Sequence, residues 1–489
     1  MKMTKRLRKL GLLITFISIS HYTVLASSSL PPISSTLPSE INTNKDTEVT
    51  SYNPSLTNEL LLPRNLYILQ GTNASPERFT IFYRNALLSL TPTSPISTSS
   101  PYGQVAMGRW FYRTLEPALT PFEPFELSMT TKLQDQFVTK KVNVELVNTT
   151  NTNPVRLLAI GDSLTRAGVY LSQIEKKLPN VSFLGTRFYP TDNMPAREGR
   201  GGWTLEKYFT SINSDELDSP FLFPKGVAAE RYKGNTRDWK QICYQKPNTA
   251  AYGGFQKLAR GWKDEGEFLY DTNGYYKYPS VGDVMVDPSL PVGSQWIEWN
   301  GYYWQTMAVQ PTEFEFSFSK YMSRNKVAFS KGTPTHVSIL LGANDFGFQK
   351  QIDKMDLFIK RLNDMIDSIH EFDSNIKIIL CLPTVGPNPE QITSSNKSFY
   401  EEYNLYVKSA TAQLLKAFDT DETLARQIYI APMNLTLDPA LGFDYVEKVE
   451  TTFGSPSTVI DVKNSIHPNN TVGQLQMGDT LAAVIQKFR

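Results

Sequence analysis

The chain is poor in the residues that most often carry chemistry. Of 489 residues only two are cysteine and four are histidine. Cys381 lies inside the apolar run Ile376–Leu382 and reads as a buried, inert thiol. Cys243 stands in a stretch of different composition, so a disulfide scaffold is not expected. Neither has metal-ligand spacing, and nothing implies a metal or another cofactor. The formal net charge is +1, which gives no reason to expect nucleic acid or an anionic membrane as partner. Beyond the N-terminus no apolar run is long enough to span a bilayer.

That N-terminus has its own pattern. Lys2, Lys5, Arg6, Arg8 and Lys9 precede the short apolar core Gly11–Ile19, and Val24-Leu25-Ala26 fits a small-residue cleavage site. Residues 1–26 therefore read as a signal peptide, and the mature chain as exported, extracellular or periplasmic. Residues 27–60, rich in Ser, Thr, Pro and Asn, read as a linker.

Two textures follow. In residues 61–147, Asn65–Leu69, Phe79–Tyr83, Phe125–Met129 and Lys141–Leu146 read as short strands between turns, which suggests a small all-β sandwich. From Val155 strands alternate with helices. Strands are expected at Val155–Ile160, Val181–Leu184, Val337–Leu341, Ile376–Leu382 and Ile428–Ile430. Helices are expected at Gly168–Leu178, Asp353–Phe372, Ser398–Phe418 and Thr471–Phe488. This alternation implies an α/β fold whose central parallel sheet is covered on both faces. About residues 205–335 interrupt the rhythm as an insertion holding Trp239, Trp262, Trp296, Trp299 and Trp304. Those rings either stack on a ligand or form the insertion's own core.

The chemistry begins at Gly161-Asp162-Ser163-Leu164, where the first strand of that sheet breaks. A serine there sits at the carboxyl end of a strand, the edge on which open α/β sheets build their sites. By itself it reads more readily as a helix N-cap. Histidine scarcity narrows the choice of a general base. His21 belongs to the signal peptide, His336 opens an apolar strand, and His370 ends an amphipathic helix. His467, in the polar loop His467-Pro468-Asn469-Asn470, remains. Two glycine-bearing turns can present donors to a developing oxyanion: Gly199-Arg200-Gly201-Gly202 and Gly342-Ala343-Asn344-Asp345.

In this order the four segments resemble the GDSL, or SGNH, hydrolase family over about residues 155–489, the insertion excepted. Gly161-Asp162-Ser163-Leu164 matches the nucleophile block, Gly202 the glycine block, Gly342-Ala343-Asn344-Asp345 the Gly-x-Asn-Asp block and His467-Pro468 the last. The resemblance implies a flavodoxin-like three-layer α/β/α fold and serine ester hydrolysis. Ser163 would be the nucleophile, with an oxyanion hole of the Ser163 and Gly202 N–H groups and the Asn344 side chain.

One position departs from the pattern. The family carries aspartate three residues before the histidine, and this chain has Asn464. Three readings stay open: Asp461 reaches His467 from an extended loop, Asn464 or a backbone carbonyl orients the ring in a Ser–His dyad, or the site is weak. An exported β-sandwich beside such a domain also looks like bacterial carbohydrate esterases. The expected substrate is an acylated glycan or a small ester, with O-acetyl removal from a polysaccharide foremost. A general short-chain esterase, a lipase-type hydrolase and a catalytically weak glycan-binding protein are the alternatives.

Overall fold

The computed structural model describes residues 59–489 apart from 72–77, 90–94, 114–122, 134, 187–193, 213–218, 236–279, 288–289, 302–303, 326–328, 330 and 453–454. The expected signal peptide and nearly all of the linker lie outside the described residues, as do Trp239, Cys243 and Trp262. No helix among the described residues is long and apolar enough to cross a membrane.

Five parallel strands form the centre. They are β1 (Val155–Gly161), β2 (Val181–Leu184), β3 (His336–Leu340), β4 (Lys377–Cys381) and β5 (Ile428–Ala431). Their order across the sheet is 2-1-3-4-5. The two-residue strand Glu198–Gly199 adds to the end of β1, opposite Ile160 and Gly161.

Each strand is apolar on both sides because both sides are covered. In β1, Leu158 and Ile160 face one core, while Val155, Leu157 and Ala159 face another. The same alternation runs along β4, with Ile378 and Leu380 on one side and Ile379 and Cys381 on the other.

Helices α1 (Ser163–Ala167) and α2 (Val169–Lys177) follow β1. The first core is closed by α3 (Met355–Phe372) and α4 (Lys397–Phe418). Phe358, Leu362, Met365, Ile366 and Ile369 of α3 make the apolar stripe that helical spacing demands. The second core is closed by α2 and α5 (Gly473–Lys487) through Leu171, Ile174, Met477, Leu481 and Ile485.

Residues 59–147 form short sheets. Asn65–Leu69, Gln136–Val147, Phe125–Leu133 and Ile96–Ser99 lie side by side in that order. Arg78–Phe82, Arg109–Arg113 and Gln104–Ala106 form a second sheet. The two share an apolar core of Leu66, Ile81, Trp110, Leu127 and Val144. Leu435, four residues after β5, is buried in that same core. Asn85 Nδ2 donates to the carbonyls of Asn434 and Leu437 at 2.9 and 2.7 Å. Lys408 Nζ of α4 donates to the Arg84 carbonyl at 2.6 Å, and burial pulls this amine down to about 7.

The interval 205–335 carries strands of its own. Tyr232–Asn235, Val284–Val286, Trp296–Trp299 and Trp304–Thr306 make a four-stranded sheet. Trp296, Trp299 and Trp304 are buried. Trp299 and Trp304 lie 5.6 Å apart, and Trp296 packs on Tyr232 at 5.7 Å. These three rings are core rather than a ligand platform.

Candidate active site

In the order 2-1-3-4-5 the chain leaves β1 and β3 in opposite directions across the sheet, which opens a crevice at their carboxyl ends. Ser163 follows β1 there and Asn344 follows β3. The turn that carries Ser163 is tightly built. Asp162 is the N-cap of α1, its Oδ1 accepting from the Leu164 N–H at 3.0 Å. Its own N–H donates to the Leu340 carbonyl at 3.3 Å, tying the turn to β3. Gly161 has no room for a side chain, since a Cβ would sit 2.1 Å from Thr165 Oγ1 and 2.7 Å from the Leu340 carbonyl. The serine is thus fixed at the start of a helix, with the positive end of the peptide dipoles beside it.

His467 comes 304 residues later and meets it. Ser163 Oγ lies 2.8 Å from His467 Nε2. Both side chains are half-buried. His467 Nδ1 lies 3.2 Å from the backbone carbonyl oxygen of Asn464, which also accepts the His467 N–H at 3.0 Å. A carbonyl can only accept, so Nδ1 carries the proton of the neutral ring. Nε2 then presents its lone pair to the serine hydroxyl.

Asp461 is not brought to the ring. Its carboxylate takes Nδ2 of Asn396 at 2.8 Å, the Val462 N–H at 2.7 Å and the Lys448 ammonium. Burial alone would raise its pKa, but Lys448 and these donors outweigh it and hold the group below its ordinary value. Among the described residues no hydrogen bond joins Asp461 to His467. The Asn464 side chain is exposed, and its backbone oxygen is what touches the ring. Asp461 lies on a hairpin, β6 (Tyr445–Thr452) and β7 (Ser455–Val462), whose pairing pulls it back toward Lys448.

The loop that carries His467 is pinned by Asn469. Its Oδ1 accepts the N–H groups of Val472 and Gly473 at 2.8 and 3.1 Å, at the start of α5. Its Nδ2 donates to the Leu441 carbonyl at 2.9 Å. Sequence reasoning passed over this residue, although an asparagine just ahead of a helix is a recognisable capping signal.

The donor side of the crevice is held by Gly199–Thr204. The Arg200 N–H donates to the Gly161 carbonyl at 2.9 Å, and Gly202 adopts a φ of 71°. Asn344 Nδ2 donates to the Trp203 carbonyl at 3.0 Å, so this amide and the Gly202 turn are coupled. The N–H groups of Ser163 and Gly202 have no acceptor among the described residues. Behind them lies a buried ion pair, Arg200 Nη1 to Glu198 Oε2 at 2.9 Å. Glu198 also accepts from the Thr186 N–H and hydroxyl, each at 2.6 Å, and from the Tyr321 hydroxyl at 2.5 Å. Burial would raise the Glu198 carboxyl, but Arg200 and these donors hold it below its usual value.

Two further buried carboxyls stand at the site. Burial raises Asp162 to about 7. Burial, with Asp162 adding to it, raises Asp345 to about 7 as well. Asp345 Oδ1 accepts the Leu205 N–H at 2.9 Å, while its buried Oδ2 has no hydrogen-bond partner among the described residues. The sequence pattern showed the positions of these acids but not their dry surroundings.

The other two described histidines, His336 and His370, are packed away from the site. His336 is buried between Thr335 Oγ1 and the Phe488 carbonyl, and burial pulls its pKa down to about 4. His370 Nε2 contacts the Ile376 carbonyl at 3.0 Å.

No family model matches the chain, and no curated protein does. Among solved structures it is similar to a carbohydrate esterase of family 3 from Talaromyces cellulolyticus (12% identity, TM-score 0.30). It is also similar to a mutant acetyl esterase with acetate ion (13%, 0.30) and to a possible lipase from Chitinophaga pinensis DSM 2588 (12%, 0.31). Each likeness covers 68% of this chain and 98% of the other. The functional reading rests on the geometry of the site.

Proposed function

We propose that the chain is a serine ester hydrolase of the SGNH type, with a Ser163–His467 dyad whose imidazole is oriented by the Asn464 carbonyl. The observation that carries this is the 2.8 Å contact between Ser163 Oγ and His467 Nε2, with Nδ1 on a backbone oxygen. The strand order 2-1-3-4-5 supports the flavodoxin-like architecture of that family. The hydroxyl oxygen attacks the acyl carbonyl carbon while its proton passes to Nε2. The N–H groups of Ser163 and Gly202 and the Asn344 amide receive the oxyanion. The imidazolium returns the proton to the departing alcohol, leaving an acyl-serine. Water, deprotonated by the same nitrogen, then releases the carboxylic acid and restores the serine.

The substrate we favour is an O-acetyl ester on a carbohydrate, acted on outside the cytoplasm after removal of residues 1–26. The motif order and the N-terminal pattern of basic residues, short apolar core and small-residue site support this. A short-chain esterase of broad specificity uses the same chemistry and is separated from it by substrate choice alone. The test is hydrolysis of nitrophenyl acetate by the full chain beside Ser163→Ala. Turnover lost in the variant supports the proposal, and equal turnover in both overturns it. A series of longer nitrophenyl esters and acetylated oligosaccharides then ranks the substrates.

A further inference from the structure

The cavity that bears on substrate choice lies away from the Ser163–His467 contact, between the N-terminal strands and α5. It has a volume of about 390 Å³. That falls within the range of roughly 300–1,000 Å³ typical of small-molecule sites. Arg78 and Arg109 line one wall, and Asp438, Gln476, Asp479 and Thr480 the other.

Of its two arginines, Arg78 is exposed and Arg109 half-buried. Among the described residues neither side chain forms an ion pair or hydrogen bond. Arg78 instead places its guanidinium carbon over the Phe111 ring, 4.8 Å from its centroid. A cation–π contact of this kind uses none of the guanidinium N–H groups, which stay free to donate. The buried Nε of Arg109 has no acceptor among the described residues. A buried donor without an acceptor is costly, which is a reason to expect a ligand that supplies one.

The acids of the cavity do not serve as those acceptors. Asp438 Oδ1 accepts the Ala440 and Leu441 N–H groups at 2.9 and 3.0 Å. Asp479 Oδ1 accepts from Gln173 Nε2 at 2.7 Å and faces Lys177 Nζ at 3.6 Å. The cavity therefore offers two unpaired guanidinium groups opposite a wall of carboxylates, an amide and a hydroxyl. A ligand that suits both walls carries one carboxylate and several hydroxyls.

We propose that this cavity binds a carboxylate-bearing saccharide unit, a uronic acid residue, through Arg78 and Arg109. The carboxylate takes the in-plane N–H groups of the two guanidinium forks. The sugar hydroxyls meet the opposite wall. The cavity is coupled to the catalytic loop. Its lining residues Leu441 and Val472 are both hydrogen-bonded to Asn469, two residues after His467. A uronate held there sits against the element that positions the general base. The binding claim is independent of ester turnover, so uronate titration and nitrophenyl acetate hydrolysis can fail separately.

The test is calorimetric titration of the full chain with glucuronate, glucose, acetate and inorganic phosphate, repeated with Arg78→Gln and Arg109→Gln. Glucuronate should bind at least about tenfold more tightly than the other three, and each variant should lose about tenfold. Circular dichroism checks that the variants are folded. Should they not fold, the comparison of four ligands on the unaltered chain still decides. Glucuronate no better than glucose overturns the proposal. Phosphate or acetate binding equally well reduces the cavity to a simple anion site and overturns the saccharide assignment. Undiminished glucuronate binding in both folded variants overturns the role of the arginines.

Discussion

His467 Nδ1 rests 3.2 Å from the main-chain oxygen of Asn464, not on a carboxylate. A carbonyl fixes the tautomer as an aspartate would, but it carries no full charge to stabilise the imidazolium. The oxygen belongs to the backbone, so side-chain replacement at position 464 leaves it in place. Asn464→Ala should therefore retain most of the activity on nitrophenyl acetate. Asp461→Ala should do the same while lowering the urea midpoint, because the Lys448 and Asn396 contacts are lost. A fall of about 10⁴ in kcat for Asp461→Ala, the scale of losing a triad's acid, would contradict this.

Asn344 touches the Trp203 carbonyl through its amide and holds the Gly202 turn as well as offering a donor. Asn344→Ala should reduce kcat by about 10²–10³ with a smaller change in KM, the signature of a donor used in the transition state. Steady-state kinetics on one ester series check it. A change confined to KM would remove Asn344 from the oxyanion site.

Asp162 and Asp345 are raised to about 7 by burial, and their ordinary value is 3.8. Between these values the unfolded chain ionises while the folded chain keeps its protons, so stability falls as pH rises. Their stabilising effect is complete below pH 4 and is lost as pH climbs through about 7. Asp345→Asn keeps an oxygen for the Leu205 N–H and removes the titration. Its Tm should decline less than that of the unaltered chain between pH 4 and 7. Parallel Tm profiles would place the ionisation elsewhere.

Leu435 is buried in the core of the N-terminal sheets, and Lys408 and Asn85 bond across the same boundary. Deleting residues 59–147 should expose this apolar surface and strip the Lys408 ammonium of its acceptor. The shortened chain should lose its single cooperative unfolding transition. A deletion that melts cooperatively and turns over nitrophenyl acetate would show that residues 155–489 fold alone.

Much of the α/β part was legible because burial on two faces leaves a mark in composition. The apolar runs at Val155 and Ile428, and the helical stripe of α3, were placed within two residues of their observed bounds. The hairpin of β6 and β7 was not seen. Its strands mix charged, polar and apolar residues on an exposed ribbon, as in Glu447-Lys448-Val449-Glu450, and lack the apolar run that marks a buried strand. The three described tryptophans of the insertion were equally ambiguous. A ring that packs on Tyr232 and one that stacks on a ligand leave the same letters in the chain.

The sequence by itself determined the order of the motifs and put forward Ser163, His467, Gly202 and Asn344 as candidates. The scarcity of histidine singled out His467, and the resemblance to the SGNH family singled out the other three. What only the tertiary structure decided was which atom stands beside Nδ1 of the imidazole. Residues 461 and 464 are both close to His467 along the chain, but direction depends on the loop and the hairpin register. Pairing of Asp461 with Val446 turns the carboxylate toward Lys448 and leaves a backbone oxygen at the ring. The arginine cavity belongs to the same category. Arg78 and Asp479 stand about 400 residues apart in the chain, and only packing of the N-terminal strands against α5 puts both on one cavity.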